Sequence, residues 1–210
     1  MADSKFAVPE LAAVEVKGTT RQAFLIRGTL AAVAVGGMGA VSPFLSDAFA
    51  QSPAGDLDIL NYALTLEYLE SEFYNVKGKS VGLSGAAKTL AKLIGGHEAE
   101  HVSGLAMAIK AAGGTPAAKP KFTFPVSNET EFLALASVLE NTGVSAYNGQ
   151  GPKLQNKAYL ATAGAIVQIE ARHAAAINYM IGKSPTPDEG FDKPLEMAAV
   201  LKAVKPLIKA

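Results

Sequence analysis

The chain has 210 residues, 19 basic side chains against 19 acidic ones, and no cysteine. Zero net charge excludes a nucleic-acid binder that works by phosphate contacts, and the lack of cysteine excludes disulfides, iron–sulfur clusters, thiolate zinc and a cysteine nucleophile. A hydrophobic fraction of 49% against 18% charged excludes a disordered chain, and the length suits one domain, or one domain plus a tail.

Residues 1–50 read as an address. Thr20-Arg21-Gln22-Ala23-Phe24-Leu25-Ile26-Arg27 precedes an uncharged run from Gly28 to Ser46, and Ala48-Phe49-Ala50 offers a small-x-small cleavage site before Gln51. Basic, apolar and small-residue regions in this order predict a secretory signal, and hence an exported protein of the periplasm or cell envelope. The segment resembles a twin-arginine signal, with Gln22 in place of the second arginine. An uncleaved membrane anchor is the alternative, because 19 uncharged residues just span a bilayer. Gly36, Gly37, Gly39 and Pro43 make that run a poor apolar helix.

Residues 51–183 predict four long helices. The first runs from Asp56 to about Val76, with Leu57, Leu60, Leu64 and Tyr68 at helical spacing, and Gly78 and the following residues end it. Asp56 and Asp58 suit the positive end of its dipole. Ser84 is placed to cap a second helix that runs to about Ala112 before Gly113-Gly114. Pro116, Pro120 and Pro125 mark a long connection. Asn128 with Glu131 predicts a capping box for a third helix that reaches about Tyr147. Gly149, Gly151 and Pro152 turn the chain into a fourth, from about Leu154 to Ile181. Residues 184–210 predict a tail with a short amphipathic helix over 192–208. Two short links and one long one define two antiparallel hairpins joined by a crossover, an all-α four-helix bundle.

The chemistry falls on this frame. Glu98-Ala99-Glu100-His101 in the second helix and Glu170-Ala171-Arg172-His173 in the fourth are both Glu-x-x-His. Three residues along a helix bring a carboxylate and an imidazole to one point, a donor pair suited to divalent iron, manganese or zinc. Glu67 and Glu140 stand among apolar neighbours in the first and third helices, where a carboxylate is costly unless paired or metal-bound. Glu67 to Glu98 is 31 residues and Glu140 to Glu170 is 30, so each hairpin supplies one lone Glu and one Glu-x-x-His. Tyr74 and Tyr147 each follow the lone Glu by seven residues, two turns below it on the same face. The hairpins read as a repeat about a pseudo-twofold axis, and four carboxylates match two divalent ions in charge. Glu70 reads as a neighbour of the site or a surface salt-bridge partner, Arg172 as a carboxylate partner or solvated, and Glu100 as solvated.

In order and spacing, residues 57–181 resemble the ferritin-like superfamily, whose pattern is Glu, Glu-x-x-His, Glu, Glu-x-x-His. Leu60-Asn61-Tyr62-Ala63-Leu64-Thr65-Leu66-Glu67-Tyr68-Leu69-Glu70 and Glu140-Asn141-Thr142-Gly143-Val144-Ser145-Ala146-Tyr147 resemble the exported ferritin-like proteins of the desiccation-related group. The resemblance implies metal ligands Glu67, Glu98, His101, Glu140, Glu170 and His173, with Tyr74 and Tyr147 behind them. It implies two iron or manganese ions, and dioxygen, peroxide or ferrous iron as substrate, in ferroxidase, peroxidase or manganese-catalase-like chemistry linked to stress. A homo-oligomer is open on the sequence. A second reading is a non-catalytic structural or interaction protein of the envelope, and a third is metal sequestration without turnover. A distant fourth is a zinc protease, because His97-Glu98-Ala99-Glu100-His101 also spells His-Glu-x-x-His.

Overall fold

The structure, a computed structural model, describes residues 54–209. The expected signal or anchor over residues 1–50 lies outside the described residues. Helix α1 (Ala54–Glu72) continues through a π-helical stretch (Phe73–Lys77) and a last turn (Gly78–Ser80). Helices α2 (Gly85–Ala111), α3 (Glu129–Gln150) and α4 (Lys157–Met180) follow, then a short α5 (Met197–Val204). Two-residue strands β1 (Lys121–Phe122) and β2 (Ile208–Lys209) pair antiparallel. The described residues form an all-α bundle of four long helices. No described helix is long and apolar enough to cross a membrane.

Helix directions follow from contacts at the ends. Phe73, near the end of α1, stacks on Phe132 at the start of α3 with ring centroids 4.3 Å apart, so α1 and α3 run antiparallel. Ser84, before α2, donates through its backbone N–H (2.7 Å) and hydroxyl (3.0 Å) to Glu129 at the start of α3, so α2 and α3 run parallel. Asp56 accepts from the backbone N–H groups of Gln155 (3.0 Å) and Asn156 (2.8 Å), so α1 and α4 start together. The crossover runs along α1. Asn61 accepts from the Ala117 N–H at 2.6 Å, Lys119 pairs with Glu72, and Phe124 meets the Phe73 ring at 5.1 Å.

Local chemistry departs from expectation in four places. Gly78 does not end α1; it lies inside the last turn, where a Cβ would meet the Phe132 ring at 3.3 Å. The stop comes at Gly82, whose φ of +71° suits a residue without a side chain. Ser84 precedes α2 but gives its hydroxyl to Glu129 rather than to its own helix. Asp56 is buried and holds the α3–α4 turn, a stronger duty than a dipole charge. The capping box forms one residue out of register: Asn128 accepts from the Glu131 N–H at 2.9 Å, while Glu131 reaches back to the Ser127 N–H at 2.7 Å.

In the tail, α5 is shorter than the span 192–208, with Pro194 ahead of it and Pro206 in the 3-10 turn (Lys205–Leu207) behind it. Neither proline can continue an α-helix ladder. α5 buries Val200 and Val204, and β2 then pairs with the crossover.

Two apolar clusters fill the bundle. One gathers Phe73, Ile94, Phe132, Ala136 and Ile177; the other gathers Leu64, Leu105, Tyr159 and Ile166. On every helix the Glu of interest stands between a member of one cluster and a member of the other. The polar site is therefore sealed at both ends by hydrocarbon. Phe132 is fully buried and stacked, so Phe132→Ala should cost about 3–5 kcal/mol of stability. Denaturant unfolding checks this; a loss below about 1 kcal/mol would mean that the stack does not hold α1 to α3.

Candidate metal centre

Glu67, Glu98, Glu140 and Glu170 are all fully buried, one from each long helix. A carboxylate removed from water needs a counter-charge or hydrogen-bond donors. The donors at hand are few. His101 Nδ1 lies 3.2 Å from Glu67 Oε2, 3.4 Å from Glu98 Oε2 and 3.0 Å from Glu170 Oε1. His173 Nδ1 lies 3.1 Å from Glu98 Oε1 and 3.3 Å from Glu140 Oε2. These distances suit ion pairs, yet Glu98 Oε1, Glu140 Oε2, both Glu170 oxygens and His173 Nδ1 make no hydrogen bond of proper geometry among the described residues. The lone pairs are aimed at shared points rather than at one another.

There are two such points. Glu67, Glu98, His101 and Glu170 each place a ligand atom within 4.8 Å of the others; so do Glu98, Glu140, Glu170 and His173. Glu98 and Glu170 belong to both groups. The Glu-x-x-His carboxylates are thus placed to bridge, with Glu67 and His101 closing one side and Glu140 and His173 the other. The donor set of hard oxygen and imidazole nitrogen fits divalent iron or manganese. All six expected ligands come together.

The tyrosines cross over. Each shares a face with the Glu seven residues before it, but its hydroxyl serves the other hairpin. Tyr74 donates to Glu140 Oε1 at 2.6 Å, and Tyr147 donates to Glu67. The exchange follows from the antiparallel course of α1 and α3. Tyr74 lies in the π-helical stretch, a distortion frequent at functional sites. Burial, then the charge of Glu140 or Glu67 respectively, pushes both phenols up, so each stays a donor.

Electrostatics shows what the carboxylates lack. Burial, then Glu67, raises Glu98 well above the usual carboxylate range, and burial, Glu67 and Glu98 do the same to Glu170. Burial also opposes ionisation of Glu67, but His101 and the facing Glu98 outweigh it and lower its pKa. Burial opposes charge on His101 too; Glu170, Glu67 and Glu98 overcome it and carry the imidazole up to about 12. A proton on His101 thus offsets part of the negative charge that a divalent cation would offset more completely.

His97 has a separate task. It belongs to neither ligand group. Its Nδ1 lies 2.9 Å from His173 Nε2, with the rings stacked at 5.1 Å. With a metal ion on His173 Nδ1, the ring proton would sit on Nε2, which could then donate to His97. Burial and then His173 lower the His97 pKa, which keeps it neutral and able to accept. The zinc-protease reading needs His97 and His101 on one ion with Glu98 free as a base, and the structure gives neither.

Two neighbours resolve as well. Arg172 and Glu100 are exposed. Glu70 is buried, and its pKa is raised well above the carboxylate range by burial and then by Glu170, Glu140, Glu98 and Glu67. A Cβ on Gly143 would lie 3.2 Å from Glu70 Oε1 and 3.4 Å from Glu170 Oε2. Glu70 follows Glu67 by three residues and Gly143 follows Glu140 by three, so the repeat breaks here: a fifth carboxyl fills the space that its counterpart leaves. That register was available in the sequence as a sign that Glu70 turns inward.

Residues 55–183 match the model of the ferritin-like domain family. The chain belongs to that family. No curated protein matches the chain. In this ferritin-like chain the buried carboxylate–imidazole cluster is compatible with a di-metal site. Replacing His97 with Ala should weaken metal binding about 10- to 100-fold, as loss of the partner of a ligating imidazole does. A competition titration with a chelator checks this; unchanged affinity would remove His97 from the site. Because His101 must give up its proton to bind metal, uptake at pH 7 should release about one proton or more per chain. Calorimetry in buffers of different ionisation enthalpy reads this directly, and proton-neutral uptake would contradict it.

Proposed function

We propose that this chain is an exported di-metal carboxylate protein of the cell envelope. Its centre holds two divalent ions, iron first and manganese as the alternative, and serves oxygen, peroxide or ferrous-iron redox chemistry in stress protection. The observation that carries the reading is the sharing of Glu98 and Glu170 between two ligand groups. The signal-like pattern of residues 1–50 supports export.

Bound there, a pair of such ions would supply electrons one at a time or together to a small oxidant. The chain's own residues do the rest. Glu98 and Glu170 fix the separation of the two positions, and Glu67 with His101 and Glu140 with His173 complete them. Tyr147 and Tyr74 hold the two terminal carboxylates in one orientation. His97 fixes the ring of His173. The two apolar clusters keep bulk water from both ends, which strengthens every charge interaction inside.

Metal content by mass spectrometry on protein from its native compartment should give about two iron or manganese per chain. Glu98→Ala should lose both ions, and Glu67→Ala should leave about one, because only the former serves both positions. Equal losses in the two variants would refute the bridging assignment. The metal-loaded protein should consume peroxide or oxidise ferrous iron, and the Glu98→Ala protein should not. Full metal loading without either reaction would favour sequestration, and no metal after anaerobic ferrous loading would favour a structural role.

A further inference from the structure

Apolar clusters seal the centre at both ends, so an ion reaches it through a side of the bundle. One side carries a carboxyl outside the ligand set. Glu70 on α1 is 3% exposed. The imidazoles and phenols of the centre serve the other four carboxylates and not this one. A buried carboxyl outside those bonds is costly and asks for a use. Glu70 Oε1 and Glu170 Oε2 border one methyl-sized space, the place of a Cβ on Gly143, at 3.2 Å and 3.4 Å from it. Glu170 belongs to both ligand groups. Glu70 therefore stands beside a carboxylate that serves both ion positions.

The outer side of Glu70 faces the tail. Glu70, Leu66, Thr142, Gly143 and Val204 line one crevice between α1, α3 and α5. As it stands the crevice takes no more than about one water molecule, less than a hydrated divalent ion needs. Its outer wall belongs to α5, whose Val200 and Val204, with Leu207, join the cluster of Leu66, Leu69 and Leu139. The tail is thinly tied on either side of this contact. Residues 183–196 are exposed apart from half-buried Asp188. Leu195 donates its N–H to the Ser145 carbonyl at 2.9 Å, and Lys153 pairs with Glu196 at the surface. The tail there lies so close to α3 that a Cβ on Gly149 would fall 1.9 Å from the Leu195 carbonyl oxygen. Behind α5, β2 meets β1 over two residue pairs. A short appendage with few bonds is the part of a fold that opens locally while the rest stays folded.

We propose that Glu70 is the carboxylate that passes divalent ions between solvent and Glu170, with α5 as the lid over it. Lifting α5 takes Val204 out of the crevice and lets water reach Glu70. The carboxylate oxygens, hard donors, then take a hydrated ion and hand it across the Gly143 gap to Glu170. The missing side chain at Gly143 keeps that gap clear, which accounts for the break in the repeat at this pair of positions. The inference rests on the di-metal reading above and adds to it a route and a gate.

The test follows cobalt(II) uptake by the full chain, stripped of metal, in an anaerobic stopped-flow. The visible absorption of the bound ion reports entry, and equilibrium titration reports stoichiometry and affinity. Glu70→Gln keeps the size and removes the charge. It should slow both uptake and chelator-driven release about tenfold. About two ions should still bind with unchanged affinity, since a group on the path alters both rates alike. Glu70→Asp, which keeps a carboxylate, should recover part of the rate. Gly149→Ala pushes the Leu195 segment off α3 and should speed uptake about tenfold, because entry through a rare open state rises with its population. If Gly149→Ala does not fold, Val204→Ala thins the lid directly and should act in the same direction. Rates unchanged by Glu70→Gln and by loosening of the tail would mean that ions enter elsewhere, and would overturn the proposal with the di-metal reading intact. A drop to about one ion per chain in Glu70→Gln would make Glu70 a resident ligand and overturn it as well. No cobalt at equilibrium in the unmodified chain would instead overturn the di-metal reading, and this inference with it.

Discussion

Four carboxylates at zero exposure in the middle of one helical bundle are the constraint on which the rest depends. Each charged carboxylate taken out of water costs several kcal/mol after relaxation, more than one hydrogen bond returns. Two imidazoles and two phenols soften the cost without removing it, since Glu98, Glu140 and Glu170 still keep unpartnered oxygens among the described residues. Divalent cations would complete the balance. The fold therefore makes sense as a holder of positive charge, and the bundle architecture supplies one carboxylate per helix at a common height.

That common height is a matter of helix direction and register. With α1 antiparallel to α3, a tyrosine two turns beyond its own Glu sends its hydroxyl back to the Glu of the opposite hairpin. The Tyr74–Glu140 and Tyr147–Glu67 bonds tie the two hairpins together through the site itself. Ligand geometry and hairpin docking are thus one structural fact. The broken symmetry at Glu70 and Gly143 is the exception that locates an extra carboxyl on one side only.

Much of this was legible in the sequence for a physical reason. Glu-x-x-His on a helix converges by geometry alone, and two copies at nearly equal distance from a lone Glu declare a repeat. Helix order and the long crossover were equally plain, because proline and glycine mark chain breaks locally. What a single helix could not reveal is what faces it. The crossed tyrosines, the turn from His97 to His173 and the inward side of Glu70 all depend on a partner helix. So do the small misreadings: Gly78 looks like a stop until the Phe132 ring is placed against it, and Asp56 looks like a dipole charge until the α3–α4 turn arrives above it.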